Sequence, residues 1–439
     1  MYIVNYSNGI PHSCFNIYYS ILKSNAKEDG DMELGLITVV AALHDLTTVE
    51  NSHYELISSL RKDFPIRFIT PEDSKNVDMP IVFIASGGTE EMFRNIYDDI
   101  PQPIVLLTDG LHNSLAASLE IQAWIQCVGG KSQILHGEPE YIKRRIKALY
   151  HIKNVLNKIQ KSNIGVIGFP SSWLIASQVN YTDAKRKWGV NYKNIELSEI
   201  SDILKTISPD ESLKIADEFI NKSSGINEPT KEDVIDAAKM YLAIKEMCMK
   251  HRLDAMTLKC FDVLEKYSIS GCLALSLLND EGTVSGCEGD CQAIFSMYLG
   301  KLLTGDTPFI ANPSMIDMQK NEVIFAHCTV ATSITEKYII RSHFESLKSV
   351  GIQGEIKEGP VTVFKCGGSG LDKYFLSKGE ILSNLSNENM CRTQVKIKLD
   401  KNVDYFFKRP LANHHLIIRG DHTEIIKEFM DYIGCTEIE

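Results

Sequence analysis

Two carboxylates stand two residues apart in Gly286-Cys287-Glu288-Gly289-Asp290-Cys291-Gln292, and three histidines, His327, His414 and His415, follow downstream. Asp290 is well placed to cap the helix that the next residues predict, because a carboxylate accepts from the free N–H groups of a first turn. Glu288 is harder to explain that way. It precedes the helix inside mostly apolar sequence, residues 273–278 before it and 293–299 after it. A carboxylate withdrawn from water needs a cationic side chain or a metal ion as partner. His327 ends a strand-like run, and His414 and His415 stand at the mouth of another. Each could be a satisfied structural residue. Taken together, one Glu and one or two His with open positions suit a divalent ion of the Mn²⁺ type.

These residues need strands and turns to bring them together. Apolar, β-branched runs at 34–42, 81–85 and 104–108 alternate with helical patterns at 90–97 and 114–124. Strand, Gly-rich turn, helix is the pattern of a parallel α/β sheet. A helix at 148–160 leads to a second α/β unit starting at Ile164, and the polar stretch 221–231 marks a further boundary. The expected division is an N-terminal α/β domain at 1–155, a second at 156–230 completed by a helix at 232–252, and a C-terminal metal-site domain at 231–439. In that last part short strands at 255–259, 323–326, 361–365 and 395–399 surround one strong helix at 290–303, and the chain closes with a strand at 416–419 and a helix at 423–433.

Two Gly-rich loops have plainer and sharper readings. Ser86-Gly87-Gly88-Thr89 is a tight βα turn or an anion cradle, and it matches no dinucleotide or P-loop fingerprint. The stretch 364–370, with three glycines and Lys365, is a β turn or bulge, or a loop that approaches a substrate. Trp173, and Trp188 beside Lys185-Arg186-Lys187, are packed rings beside solvated charge or sugar-stacking surfaces.

The 439 residues suggest two to four domains at roughly 100–200 residues each. Hydrophobic residues at 44 % and charged residues at 23 % are an ordinary globular balance. A net charge of −11 argues against broad nucleic-acid binding or an anionic membrane surface. No apolar run reaches the roughly 18–20 residues of a membrane helix, and the N-terminus lacks the pattern of a signal peptide. Eleven scattered cysteines without a CxxC motif read as reduced thiols, so a cytoplasmic location is expected.

Residues 288–305, EGDCQAIFSMYLGKLLTG, and the later Ala412-Asn413-His414 before an apolar strand resemble two segments of the L-fucose/L-arabinose isomerase family, in the same order. Residues 254–259 resemble the strand that precedes that family's site. The likeness covers roughly 235–439, whereas the first 230 residues share only the α/β style, and the chain looks shorter than the three-domain fucose isomerases. The resemblance implies N-terminal parallel-sheet α/β domains followed by a mostly β catalytic domain. It makes Glu288 a metal ligand and acid/base group and His414 a second ligand. The family's third ligand is acidic, but the aligned residue here is Asn312, whose carbonyl can ligate a hard cation yet cannot shuttle a proton. Asp290 or Asp317 would then complete the acid/base pair. The arabinose branch places a histidine ligand near His327.

Asn413, His415, Trp173 and Lys259 are the expected sugar contacts. The expected cofactor is a divalent metal, Mn²⁺ before Mg²⁺ or Co²⁺. The implied activity is aldose–ketose isomerisation of a free deoxy, neutral or sulfonated monosaccharide through a cis-enediol, the metal stabilising the enediolate and positioned acid and base groups adding roughly 10²–10⁴-fold. The alternatives are a non-catalytic sugar-binding protein on the same fold, or an epimerase or aldolase. The family builds its pockets between subunits, which implies a homotrimer or homohexamer; Asn5, Ser7, His12 and His112 are then surface polar residues or, on the sharper reading, in reach of a neighbouring site.

Overall fold

The computed structural model describes residues 32–41 and 51–439. The chain divides inside the helix Pro139–Gln160 into one compact unit ending at Asn154 and another running from Val155 to Glu439.

The N-terminal unit is a parallel sheet of β1 (Leu34–Val39), β2 (Ile66–Phe68), β3 (Met79–Ile84), β4 (Ile104–Leu107) and β5 (Ser132–Leu135), in the order β2-β1-β3-β4-β5. Both faces of the sheet are covered, so its central strands are continuous apolar runs rather than alternating ones. Successive residues still point to opposite sides. Ile81, Phe83, Val105 and Leu107 join a core with the helix Tyr54–Arg61, whereas Val82, Ile84, Ile104 and Leu106 join another with the helix Ser114–Cys127. Ser86–Thr89 is a tight turn after β3, in which the Thr89 hydroxyl donates to Ser86 O at 2.8 Å.

The second unit opens with another parallel sheet: β6 (Asn163–Ile167), β7 (Asn191–Ile195), β8 (Ala255–Leu258) and β9 (Val284–Gly286), in the order β7-β6-β8-β9. Lys231–His251 is its longest helix, begun by a capping box in which Thr230 and Asp233 satisfy each other's backbone N–H groups. Then come β10 (Phe309–Asp317), β11 (Glu322–His327), a separate hairpin of β12 (Thr335–Arg341) and β13 (Gly351–Ile356), and β14 (Gly359–Gly367), β15 (Lys373–Leu385), β16 (Thr393–Leu399) and β17 (His415–Arg419). These pair antiparallel as β14-β17-β10-β11-β16-β15, and β15 returns to β14, which closes a six-stranded barrel. A short strand, Thr436–Glu437, adds to β15. The architecture is thus parallel-sheet α/β followed by a mostly β barrel, as the sequence led us to expect.

The expected boundary between 230 and 231 falls inside this second unit. The parallel sheet takes strands from both sides of it, and one continuous core joins Ile167, Ala216 and Val234 to the barrel residues Phe325, Val363 and Phe375. The polar stretch that suggested a boundary is a surface loop between two helices packed in that core. No described helix is long and apolar enough to cross a membrane. The described cysteines are all free thiols.

Candidate metal centre

Three chain segments meet where the parallel sheet joins the barrel. After β9 the backbone turns through two consecutive left-handed residues, Glu288 (φ 61°) and Gly289 (φ 62°). Only glycine fits the second position, because a Cβ there would lie 2.9 Å from Phe169 O and 3.1 Å from Ser171 N. Left-handed backbone at a glutamate is strained by about 1–3 kcal/mol and persists where surrounding structure holds it. Here the Gly289 N–H donates to Leu258 O at the end of β8, at 3.0 Å. The turn aims the Glu288 carboxylate at His327, the last residue of β11, and at His414, just before β17. Its Oε1 lies 3.7 Å from His327 Nε2 and 3.6 Å from His414 Nε2.

One donor atom from each of the three lies within 4.8 Å of the others. Atoms each about 2.1 Å from a common ion sit roughly 3.0–4.2 Å apart, and both distances from Glu288 to the imidazoles fall in that range. The His414 Nε2 atom supplies a second indication. It is buried and has no hydrogen-bond partner, and such a group is costly unless a ligand satisfies it.

The other ring nitrogens are held. His414 Nδ1 donates to Asp290 Oδ2 at 2.9 Å, and His327 Nδ1 shares a hydrogen bond with Thr329 Oγ1 at 3.0 Å. Each ring is thereby oriented with Nε2 toward Glu288, as outer partners orient metal-binding imidazoles. Asp290 also caps the helix Cys291–Thr304, its Oδ1 accepting from Ala293 N at 2.8 Å. Behind it lies Lys365, wholly buried, with Nζ 3.8 Å from Asp290 Oδ2.

Charge follows from these contacts. Burial alone would raise the Glu288 carboxyl, but the imidazoles of His327 and His414 outweigh it and hold it well below the usual range. Burial likewise opposes ionisation of Asp290, and Lys365 and His414 bring it down to about 2. Burial pushes the His414 imidazole down, but Asp290 and Glu288 raise it to about 9. His327 is lowered, chiefly by burial.

The remaining expected residues sort by side chain. Asn312 and Asn413 are brought to each other, Asn413 Nδ2 donating to Asn312 Oδ1 at 3.1 Å. Asp290 is wholly buried behind His414, so it orients an imidazole instead of standing open to a sugar. Asp317 lies at the far end of β10 from Asn312, about 16 Å away at the rise of a strand, and its Oδ1 accepts from Gln319 and Lys320 N. These contacts hold it in the turn between β10 and β11. His415 points the other way from His414. Its Nε2 accepts from the Tyr405 hydroxyl at 3.0 Å and its Nδ1 donates to Asn413 O at 2.9 Å. Wrapped by Phe325, Phe375 and Phe406, it is a core residue and no sugar contact.

Lys259 pairs with Asp262 at 2.9 Å. Trp173 is half-exposed and meets the Phe261 ring edge-on at 5.5 Å. Trp188 is buried and donates to Leu371 O, so its role is packing. His112 lies in the N-terminal unit, 5.7 Å from the His53 ring. Asn5, Ser7 and His12 lie outside the described residues. Lys365 went unassigned by the sequence reading, although a lysine inside the apolar run Val361-Thr362-Val363-Phe364-Lys365-Cys366 was the available signal. It belongs to β14, which contains the strand expected at 361–365.

No protein-family model matches the chain. Curated proteins do. Over 299 residues it is 25 % identical to the sulfoquinovose isomerase of Priestia aryabhattai, covering 65 % of this chain and 66 % of that protein. It is 22 % identical over 305 residues to the sulfoquinovose isomerase of Alkalicoccus urumqiensis, covering 67 % and 69 %. A third, from Clostridium sp. (strain MSTE9), is 22 % identical over 231 residues, covering 52 % and 50 %. The match to the first of these spans about two thirds of the relative's length. The chain is similar, at low identity, to sugar isomerases.

Proposed function

We propose that this chain is an aldose–ketose isomerase that acts on a free monosaccharide, a sulfonated aldose first among them, with a divalent cation held by Glu288, His327 and His414. The observation that carries the proposal is the buried convergence of one carboxylate and two imidazoles around an unpartnered His414 Nε2. The names of the relatives support the substrate class.

A cation bound there, Mn²⁺ before Mg²⁺ or Co²⁺, would act as a Lewis acid on the carbonyl and neighbouring hydroxyl of the sugar. The rest falls to the protein. Asp290, tied to His414 and to the helix start, keeps one imidazole in its binding tautomer. Glu288 takes the proton from C2 and returns it to C1, the electron pair of the C2–H bond becoming the C1=C2 bond of an enediol. Trp173 and Phe261 offer apolar ring surface to the sugar. Asn312 and Asn413, paired by their amides, offer hydrogen bonds and no proton. The active protein is a homo-oligomer of three or six chains, which light scattering would test.

The deciding experiment incubates the full chain with Mn²⁺ and a panel of aldoses that includes sulfoquinovose, and follows ketose formation by NMR. Ketose from at least one sugar is expected. Metal uptake without turnover of any sugar would overturn the isomerase reading in favour of a sugar-binding protein, the reading that Asn312 in place of an acid would favour.

A further inference from the structure

Lys365 sits in the barrel wall out of reach of solvent. It is wholly buried, and its Nζ has no hydrogen-bond partner. An ammonium withdrawn in this way is costly unless an opposite charge stands near it. Asp290 Oδ2 lies 3.8 Å from that Nζ, and both side chains are wholly buried. Resting on the metal reading above, we propose that Lys365 is a positioning residue of the metal centre, its charge holding the Asp290 carboxylate on His414 Nδ1 so that His414 Nε2 faces the cation.

The strand β14 changes partners at this residue. On one side it pairs with β17 as far as Phe364, which stands opposite Leu416. On the other it pairs with β15 as far as Gly367, with Lys365 opposite Phe375. Beyond Phe364 the helix Cys291–Thr304 takes the place of β17. Ser296 Oγ accepts from Cys366 N at 2.9 Å and lies 2.9 Å from Cys366 O, and Gln292 Nε2 donates to Gly368 O at 3.3 Å. A Cβ at Gly367 would lie 3.1 Å from Gln292 Oε1, so strand and helix are already in contact there. Asp290 caps this same helix. The strand is therefore fastened to the helix one residue after the lysine, and the lysine is set against the cap.

Both oxygens of the Asp290 carboxylate are used. Oδ1 accepts from Ala293 N at 2.8 Å and Oδ2 from His414 Nδ1 at 2.9 Å. Among the described residues its ion pairs are with Lys365 and His414. An imidazole that ligates a cation is in its neutral form. With the site filled, Lys365 is the partner that still carries charge to offset the carboxylate. At 3.8 Å the lysine is beyond hydrogen-bond range. It supplies charge and leaves the Oδ2 lone pair to the imidazole. Asp290 fixes the ring of His414, as outer partners of metal ligands do, and Lys365 fixes Asp290 from behind. The fold does not need this charge, because a buried ion pair replaced by apolar groups of like volume is often neutral or stabilising.

The test titrates Mn²⁺ into the full chain by calorimetry, in wild type, Lys365→Met, Asp290→Asn and the double variant. Lys365→Met should still bind one equivalent at saturation, with affinity about tenfold weaker, the lower end for loss of an outer partner. The double variant should bind within about threefold of Asp290→Asn alone, because a residue that acts through Asp290 then has nothing left to act on. Independent effects, such as a loss of packing, would instead multiply. Lys365→Gln, neutral and polar, serves if the Met variant fails to fold. Lys398→Met, which removes an exposed charge from β16, should match wild type. Affinity within about twofold of wild type in the neutral Lys365 variants, losses that multiply in the double variant, or an equal loss in Lys398→Met would overturn the proposal. Any of these with Mn²⁺ uptake by the wild type intact removes the role of Lys365 alone. Absence of uptake by the wild-type chain would remove the metal reading itself, and this inference with it.

Discussion

The imidazole of His414 bridges two carboxylates, Nδ1 2.9 Å from Oδ2 of Asp290 and Nε2 3.6 Å from Oε1 of Glu288. The first distance is a hydrogen bond. The second is too long for one and suits two donor atoms facing a shared ion. Asp290→Asn keeps a side-chain oxygen for the helix cap but loses the charge that orients His414. It should weaken Mn²⁺ affinity by about 10–100-fold, as loss of an outer partner commonly does, and leave one equivalent bound at saturation. Calorimetric titration measures both, and unchanged affinity would contradict the orienting role. His414→Ala should abolish stoichiometric binding.

The same pair makes metal affinity depend on pH. In the metal-free chain the His414 imidazole is raised from 6.5 to about 9. Its proton must leave before Nε2 can bind a cation, so affinity should fall about tenfold per unit as pH drops below about 9. Stability runs the other way. A raised folded-state pKa contributes stability fully below 6.5, and this is lost as pH rises through about 9. Melting curves with EDTA should therefore fall between pH 6.5 and 9, whereas curves with Mn²⁺ should hold or rise. Parallel trends in both would remove His414 as the titrating group.

If Glu288 handles the carbon-bound proton, isomerisation in D₂O should place deuterium at C1 of the ketose or C2 of the aldose. Glu288→Gln should abolish both turnover and labelling, because Asn312, where the resemblance expects an acid, cannot substitute as a base. Turnover without label in the wild type, joined by near-normal turnover of Glu288→Gln with metal still bound, would exclude the enediol route.

The barrel core makes a prediction independent of the site. Phe375 is wholly buried and stacks on Tyr405 at a centroid distance of 3.8 Å, with His415 edge-on at 5.7 Å. Phe375→Ala should cost about 3–5 kcal/mol, read from the midpoint and slope of urea unfolding. A loss under about 1 kcal/mol would mean that the cluster packs otherwise.

Local chemistry made part of this legible. Glu288, an acid in apolar surroundings beside a glycine, announces a carboxylate that needs a partner. Asp290 at a helix start reads as a cap, and it is one. What stayed hidden depends on pairing across long stretches of chain. Alternation tells that β14 has two faces. It does not tell that β14 pairs with both β15 and β17, which closes the barrel and buries Lys365 behind Asp290. Adjacent histidines look alike in sequence, but the pleat sends His414 and His415 to opposite sides, one toward Glu288 and the other into an aromatic cage.

The three donor atoms come from a turn after a parallel strand, the end of one barrel strand and the start of another. A cation held there is also a cross-link that ties three distant stretches of chain, and the unfolded polymer offers it no comparable chelate. Occupancy then favours the folded state by mass action. A brief heating step in the presence of the ion would enrich loaded, correctly assembled molecules, and prolonged dialysis against a chelator would shorten the shelf life of the protein before any assay begins.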